Sequence, residues 1–237
     1  MLFIGIYLAF VRAQPFKEKS VGALELRDRP VGSNLARVLA TFITRGAFLT
    51  LAVALSLILA FLVYNSQKLS AVANGLSAVG LTIPSFALIG FLFAPLGFGV
   101  TPSMVVVTFF AVLPILRNAI VGLSGVDKAI VESARGIGIG RTRTMLTIEL
   151  PLAWPIILTG VRISAQMTMG IAAVTAYALG PGLGSFIFSG LSRLGGANSL
   201  EAVAVGVVGV ILLAFILDLL LVGIGRLTIS RGIRVSN

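Results

Sequence analysis

Five apolar stretches constrain the fold of this chain more than any other feature of its sequence. Each is long enough to cross the hydrocarbon core of a bilayer as a helix, which takes about 20 residues. A strand that is not part of a closed barrel would leave backbone groups unpaired in lipid, so all five should be helices. The sequence therefore predicts an all-α, polytopic membrane protein with spans at about 46–64, 76–98, 101–123, 154–179 and 202–225.

The composition agrees with a membrane location and excludes several kinds of chemistry. Of the 237 residues, 57% are hydrophobic and only 11% are charged. There is no cysteine or histidine, which removes disulfides, imidazole bases and the usual zinc ligands, so we expect no metal site. The net charge of +10 comes mostly from residues that flank the spans, where anionic lipid headgroups are the natural counterions. We expect membrane lipid as a partner and no nucleic acid.

The first 45 residues stand apart from the predicted membrane domain, 46–237. Residues 1–11 are apolar but cover only about half the length that a spanning helix needs. They lack a basic start and a clear cleavage site, which argues against a cleaved signal peptide. They form either a short first span or an interfacial segment, and 35–43 could lie as an amphipathic helix on the membrane surface.

Prolines interrupt the second and third predicted spans. Pro84 and Pro95 lie in the second and Pro114 in the third. Such prolines usually produce a kink, and neighbouring helices must then satisfy the freed carbonyls. We expect kinked but continuous spans, with a functional hinge as the less favoured alternative.

A polar segment broken by glycines, VESARGIGIGRTRTMLTIELP at 131–151, separates the third and fourth spans. Asp127 is a candidate N-cap for a short amphipathic helix that Gly136, Gly138 and Gly140 should end. A second short helix over 142–149 should bury three apolar side chains and stop at Pro151, since proline disfavours helix in the residue before it. Buried there would be Met145, Leu146 and Ile148. Amphipathicity alone favours a solvated loop that only covers the ends of the spans.

The spacing within this segment resembles the cytoplasmic EAA loop of bacterial ABC-importer permeases. The pattern Glu-x-Ala, three residues, Gly, nine residues, Ile-x-Leu-Pro is met at every fixed position except the second, where Ser133 replaces alanine. The resemblance implies a coupling loop, about 124–153, that docks on a separate ATPase subunit. Its candidate residues are Glu132, Ser133, Ala134, Gly138, Ile148, Leu150 and Pro151.

Three longer stretches resemble one subgroup of these permeases, the permease subunits of osmoprotectant importers for glycine betaine, carnitine and choline. They lie at 81–106, 112–127 and 178–191, and the similarity covers about 46–234. It implies a second permease copy, as a homodimer or a paired permease, two ABC ATPase subunits and an extracytoplasmic substrate-binding protein. A candidate loop facing the binding protein contains Gly180, Pro181, Gly182 and Gly184, and Pro181 departs from the glycine-rich run that the family usually has.

The predicted orientation of the chain across the membrane follows from this resemblance and not from the distribution of charge. A cytoplasmic loop at 131–151 places eight basic residues on the side that the positive-inside rule favours, the first being Lys68 and the last Arg234. It leaves seven on the opposite side: Arg12, Lys17, Lys19, Arg27, Arg29, Arg37 and Arg45. The two groups nearly cancel, so the resemblance decides that the chain ends in the cytoplasm of a bacterial or archaeal cell.

Two charged residues lie inside predicted spans. Arg162 in the fourth and Asp218 in the fifth fall at similar depth, roughly 12 Å from the cytoplasmic face at 1.5 Å per residue. An isolated charge there costs at least about 2.5 kcal/mol, so we expect the two to interact or to share a polar cavity. A packing ion pair is favoured over a substrate contact, and a role in ion coupling would instead indicate a secondary transporter or a channel-like protein.

The sequence carries no energy source or catalytic site of its own. No Gly-x-x-x-x-Gly-Lys-Ser/Thr phosphate loop occurs, so ATP should be bound by a partner subunit and the chain needs no cofactor. The glycines at 136, 138 and 140 do not match a dinucleotide fingerprint, because no strand precedes them. The eight carboxylates are scattered, and we expect a transport subunit without enzyme activity.

Overall fold

A computed structural model describes residues 49–97, 99–176, 183–196 and 198–229. These residues are almost entirely helical and contain no strand, which confirms the predicted all-α membrane fold. The segment 1–45 lies outside the described residues. In chain order the helices are α1 Leu49–Val63, α2 Gln67–Thr82, α3 Ser85–Leu96, α4 Val100–Ser124, α5 Lys128–Gly136, α6 Arg141–Thr144, α7 Leu150–Thr175, α8 Gly184–Leu191 and α9 Ser199–Thr228.

Three continuous helices in the described part are long and apolar enough to cross a membrane. They are α4, α9 and a 35-residue helix, Arg141–Thr175, that joins α6 to α7 through a π-helical segment, Met145–Glu149. The first predicted span corresponds to the shorter apolar helix α1. The second corresponds to α2 and α3 together, which would make a fourth crossing if the bent pair is one span.

The predicted continuity of the second span is wrong, because α2 and α3 meet at an angle of 91°. Ile83 at the break is extended, with φ −69° and ψ 124°, and its N–H bonds the carbonyl of Gly80. The cause is Pro84, whose ring disfavours the helical conformation of the residue before it. By contrast, Pro95 and Pro114 lie within continuous α3 and α4.

The centre of the bundle is the antiparallel pair α4 and α7, and α1 packs against one side of both. Ala52 of α1 belongs to a buried cluster with Val112 and Val161, and Ala60 belongs to a second one with Ala119 and Ile157. A third cluster joins α3 to the other half of this pair through Ile89, Val106, Phe110 and Ile171. Small side chains at these crossings allow close approach of the helices.

Gly160 allows α4 and α7 to pack closely against each other. A Cβ atom built at Gly160 would lie 2.6 Å from the Cβ of Asn118, whereas one at Gly170, on the same helix, would meet nothing within 4 Å. We predict that Gly160→Ala lowers the free energy of unfolding by about 1–3 kcal/mol through overpacking. Gly170→Ala should leave it unchanged or raise it, because alanine favours helix. Thermal unfolding of both variants in detergent checks this, and equal melting temperatures would contradict it.

Helix α9 packs on α8 through two glycines. A Cβ at Gly206 would lie 2.7 Å from Cγ1 of Ile187, and one at Gly209 would lie 2.8 Å from Cδ1 of Leu183. The remaining surface of α9 is exposed and apolar over most of its length, as expected for a helix that faces lipid. Its exposed side chains include Val205, Val208, Ile211, Leu212, Phe215, Ile216, Leu219 and Leu220.

The 131–151 loop shares one end of the bundle with the ends of α1 and α9. Ala60, Leu123 and Ala153 share a buried cluster there, and Trp154 Nε1 donates a hydrogen bond of 2.8 Å to Thr228 Oγ1. Six of the nine described Lys and Arg residues lie at this end: Lys68, Lys128, Arg135, Arg141, Arg143 and Arg226. The described part therefore obeys the positive-inside rule with the loop in the cytoplasm. The seven opposing basic residues all precede residue 49.

Candidate coupling loop and intramembrane ion pair

Helix α5 begins and ends with well-defined caps. The Asp127 carboxylate accepts a hydrogen bond of 2.9 Å from the N–H of Ala129, so Asp127 is the N-cap that the sequence suggested. At the other end, the N–H of Ile139 bonds the carbonyl of Ala134 at 3.1 Å, and the N–H of Gly138 bonds that of Arg135 at 3.0 Å. This pair of bonds is a Schellman motif with Gly138 at the C′ position.

The Schellman motif explains the four-residue spacing between alanine and glycine in the loop. The C′ residue must adopt a left-handed conformation, and Gly138 has φ +86°. The residue four positions earlier carries the carbonyl that closes the motif, and there Ala134 is buried under the turn. Gly136 is the last residue of α5, and Gly140 has an ordinary extended conformation, so only Gly138 of the three needs to be glycine for its backbone.

The loop does not contain a second separate helix, so the prediction that Pro151 ends one is wrong. Helix α6 continues through the π-helical segment into α7, and Pro151 lies in the first turn of α7. Proline lacks an N–H and clashes with the carbonyl four residues earlier, but the wider π turn accommodates both effects. The N–H of Leu150 bonds the carbonyl of Met145, five residues back. Ile148 and Leu150 of the motif are half-buried in this continuous helix.

Several apolar side chains of the loop face solvent. Ile137 is 80% exposed, and Ile130 and Leu146 are also exposed, so the predicted burial of Leu146 is wrong. Glu132 and Ser133 lie on the exposed surface of α5, where the Ser133 hydroxyl donates to the carbonyl of Ala129. Exposed apolar groups beside charged ones on a water-facing surface are typical of a protein interaction site.

One buried carboxylate at the base of the loop was not found from the sequence. Glu149 is only 3% exposed, and it lies close to the Tyr64 side chain at the end of α1. Its Oε1 atom has no partner among the described residues. Glu149 belongs to no fixed position of the EAA pattern, and only the structure shows that the π segment turns it toward α1.

Arg162 and Asp218 form a bidentate ion pair between α7 and α9. Arg162 Nε lies 3.0 Å from Oδ1 of Asp218, and Nη2 lies 3.0 Å from Oδ2. Gln166, one turn after Arg162, donates from Nε2 to Oδ1 at 3.0 Å. Gln166 was not predicted from the sequence, although its i, i+4 spacing from Arg162 places it on the same side of the helix. The pair is partly open, with side-chain exposures of 41% for Arg162 and 22% for Asp218.

The glycine-rich candidate loop falls mostly outside the described residues, which do not include Gly180, Pro181 and Gly182. Gly184 is described, and it is buried at the start of α8, so it does not lie on an exposed loop. A Cβ built there would lie 2.7 Å from the Cβ of Ala176. A glycine is needed here because α8 packs closely on the end of α7.

Comparison with known proteins places the chain in a family. Residues 52–229 match the family model described as "Binding-protein-dependent transport system inner membrane component". The chain is 38% identical over 153 residues to the glycine betaine/carnitine/choline transport system permease protein OpuCB of Bacillus subtilis (strain 168), covering 65% of this chain and 69% of that protein. It is 32% identical over 190 residues to the osmoprotectant import permease protein OsmW of Salmonella typhimurium, covering 78% and 86%.

The fold also matches a solved structure. A chain of the MetNI methionine ABC transporter, solved in inward-facing conformations, superposes with a TM-score of 0.65 at 18% identity, over 83% of this chain and 94% of that one. At this identity the likeness shows the fold alone. Together with the family match and the apolar helices, it identifies a multi-pass protein of the cytoplasmic membrane that acts as a transport component. The chain belongs to the family of inner membrane components of binding-protein-dependent transport systems, and within it is most similar to the osmoprotectant ABC-importer permeases.

Proposed function

We propose that this chain is the membrane-spanning permease of an ABC importer for a compatible solute such as glycine betaine, carnitine or choline. Its coupling loop, 124–153, would receive the conformational change of an ATPase partner. The observation that carries the proposal is the rigidly capped helix α5, which presents the exposed Ile137 at the cytoplasmic end of the bundle. The similarity to osmoprotectant permeases supports the class of solute.

The structure suggests how force on the loop would reach the membrane. The helix from Arg141 to Thr175 is continuous, so a displacement of α6 moves α7 without an intervening flexible link. Helix α7 packs along α4, and the ion pair connects it to α9, so α4 and α9 would move with α7. ATP binding would favour one arrangement only through its different interaction energy with the two.

The partners follow from the family and from what the chain lacks. We propose two ATPase subunits, a second permease copy as a homodimer or paired permease, contact with membrane lipid, and an extracytoplasmic binding protein that supplies most of the selectivity. A quaternary ammonium is held best by a cage of aromatic faces. Trp154, the single tryptophan of the chain, donates its indole N–H to Thr228 at the cytoplasmic end. The permease would then offer a weak, transient path.

An ion-coupled secondary transporter is the alternative, since a charged pair in the membrane can carry coupling ions. Purification of the complex from its native membrane separates the two proposals. We expect an ABC ATPase to co-purify, with hydrolysis stimulated by glycine betaine, carnitine or choline in the presence of the binding protein. Solute uptake by this chain alone, driven by an ion gradient without ATP, would instead support the alternative.

The exposed apolar group at the tip of the loop allows a sharper test. We predict that Ile137→Asp weakens association with the ATPase subunit by about tenfold or more, because a charge replaces an apolar anchor. Leu194→Asp is the matched control, since Leu194 is similarly exposed but lies at the opposite end of the bundle, between α8 and α9. Titration of detergent-solubilised permease with ATPase checks both variants. Equal affinities would show that the loop is not the docking surface.

A further inference from the structure

One face of the bundle differs from the rest of its membrane surface. The exposed positions of α7 recur at Ile156, Thr159, Ile163, Gln166 and Gly170, every three or four residues, and we call them the α7 stripe. Three of the five are polar or glycine, whereas the exposed side chains along the middle of α9 are all apolar. A surface that faces lipid throughout would not be expected to carry polar groups at this depth.

Charged groups flank the α7 stripe on both sides. On α4, Arg117 is exposed about 10 Å before the end of the helix at Ser124. Helix α1 packs on one side of the α4 and α7 pair, and Arg117 and the α7 stripe are exposed and lie outside the clusters that α1 covers. Beyond the stripe lies the Arg162 and Asp218 pair. Within α4, α7 and α9 these three are the only charged residues that lie away from the first or last turn of the helix.

The ion pair leaves one edge of the arginine open. Asp218 engages Nε and Nη2 of Arg162, and among the described residues Nη1 has no acceptor. Both oxygens of Asp218, by contrast, accept hydrogen bonds, and Oδ1 accepts a second one from Gln166. A guanidinium has five N–H donors arranged to match a carboxylate. The open edge, 41% exposed on the side chain as a whole, is therefore complementary to a second carboxylate that arrives from outside the chain.

We propose that the α7 stripe is a wall of the water-filled solute path, and that Arg162 contacts the carboxylate of a zwitterionic solute there through its open Nη1 edge. This inference rests on the proposed importer function and adds a residue that distinguishes solutes with a carboxylate from those without one. Asp218 holds the guanidinium in position from the other side. The contact affects the rate of passage, because affinity for the solute resides in the binding protein.

Labelling of single cysteines tests the position of the wall, since the natural chain contains no cysteine. Ile163→Cys lies next to Arg162 and Leu219→Cys lies next to Asp218, so the two sites have the same depth and similar exposure, 46% and 53%. In the complete complex, a charged, membrane-impermeant thiosulfonate should modify the first variant and spare the second. Equal modification of both, or modification of neither, would overturn the assignment of the stripe.

Transport by reconstituted complexes tests the arginine. Arg162→Lys keeps a charge to pair with Asp218 but loses the planar second edge. We expect it to lower the maximal rate of glycine betaine uptake about tenfold relative to choline, which has the same trimethylammonium group but no carboxylate. The paired change of Arg162→Gln with Asp218→Asn, which strands no charge, should show the same selective loss.

The outcomes separate this inference from the proposed function. Equal slowing of both solutes, or of neither, would overturn the carboxylate contact while leaving the importer intact. If the wild-type complex took up neither glycine betaine nor choline, the proposed solute class would fail and the carboxylate contact with it. The labelling contrast would still decide whether the α7 stripe faces water.

Discussion

Replacement of Gly138 by valine should leave the permease inserted and folded but uncouple transport from ATP hydrolysis. Gly138 has φ +86°, a conformation that costs a residue with a side chain about 1–2 kcal/mol and is worse for a β-branched one. The strain would be relieved by opening the Schellman motif, which would release Ile137 and change the direction in which the chain leaves α5. The apolar clusters of the spans lie elsewhere, so the bundle should survive.

A neighbouring glycine supplies the control for this prediction. Gly140 has φ −61° and ψ 152°, which valine adopts readily, and a Cβ there would meet nothing within 4 Å. Gly140→Val should therefore retain coupled transport. Solute uptake per ATP hydrolysed, measured in proteoliposomes, should fall severely for Gly138→Val and stay near the wild-type ratio for Gly140→Val. Wild-type uptake by the first variant would count heavily against the mechanism.

Breaking the intramembrane ion pair should have the second largest effect. Arg162→Gln leaves Asp218 without its charged partner, and Asp218→Asn leaves the guanidinium without its carboxylate. An uncompensated charge at this depth costs about 3 kcal/mol, so each single change should lower the stability or the yield of inserted protein strongly. The double change strands no charge and should lose less than the sum of the two.

A double-mutant cycle measures this coupling directly. We expect the two changes to be non-additive by about 1 kcal/mol or more, since the side chains share two hydrogen bonds of 3.0 Å. Thr159→Ala, on the same helix, provides a comparison, because its hydroxyl donates only to the carbonyl of Pro155 one turn earlier. Single variants that are tolerated and additive would show that the pair contributes nothing to the packing of α7 on α9.

The sequence was sufficient to predict those features that depend on local rules. Span length predicts helices, Asp127 marks the start of α5, and the glycines at 136, 138 and 140 predict its end. The depth of Arg162 and Asp218 could be counted along their helices, because a helix converts residue number into height. Their meeting then required only that α7 and α9 pack together, which their antiparallel order favours.

Features that depend on how elements meet could not be predicted in the same way. Proline has more than one structural outcome: Pro84 accompanies a 91° break, Pro114 lies inside a continuous span, and Pro151 follows a π turn that preserves the helix. Local sequence does not decide among them, since the outcome depends on whether neighbouring helices can hold the altered backbone. The burial of Glu149 and the open edge of Arg162 likewise depend on the register between helices, which residue spacing leaves undetermined.

Cross-linking from Ile137 shows whether the loop at 124–153 docks on an ATPase subunit. Because the chain has no cysteine, Ile137→Cys carries a single thiol to which a short photo-activated cross-linker can be attached. In the native membrane, with the complex assembled, we expect a cross-link to an ABC ATPase subunit whose yield changes when ATP is added. Cross-linking only to lipid or to an extracytoplasmic protein would contradict it.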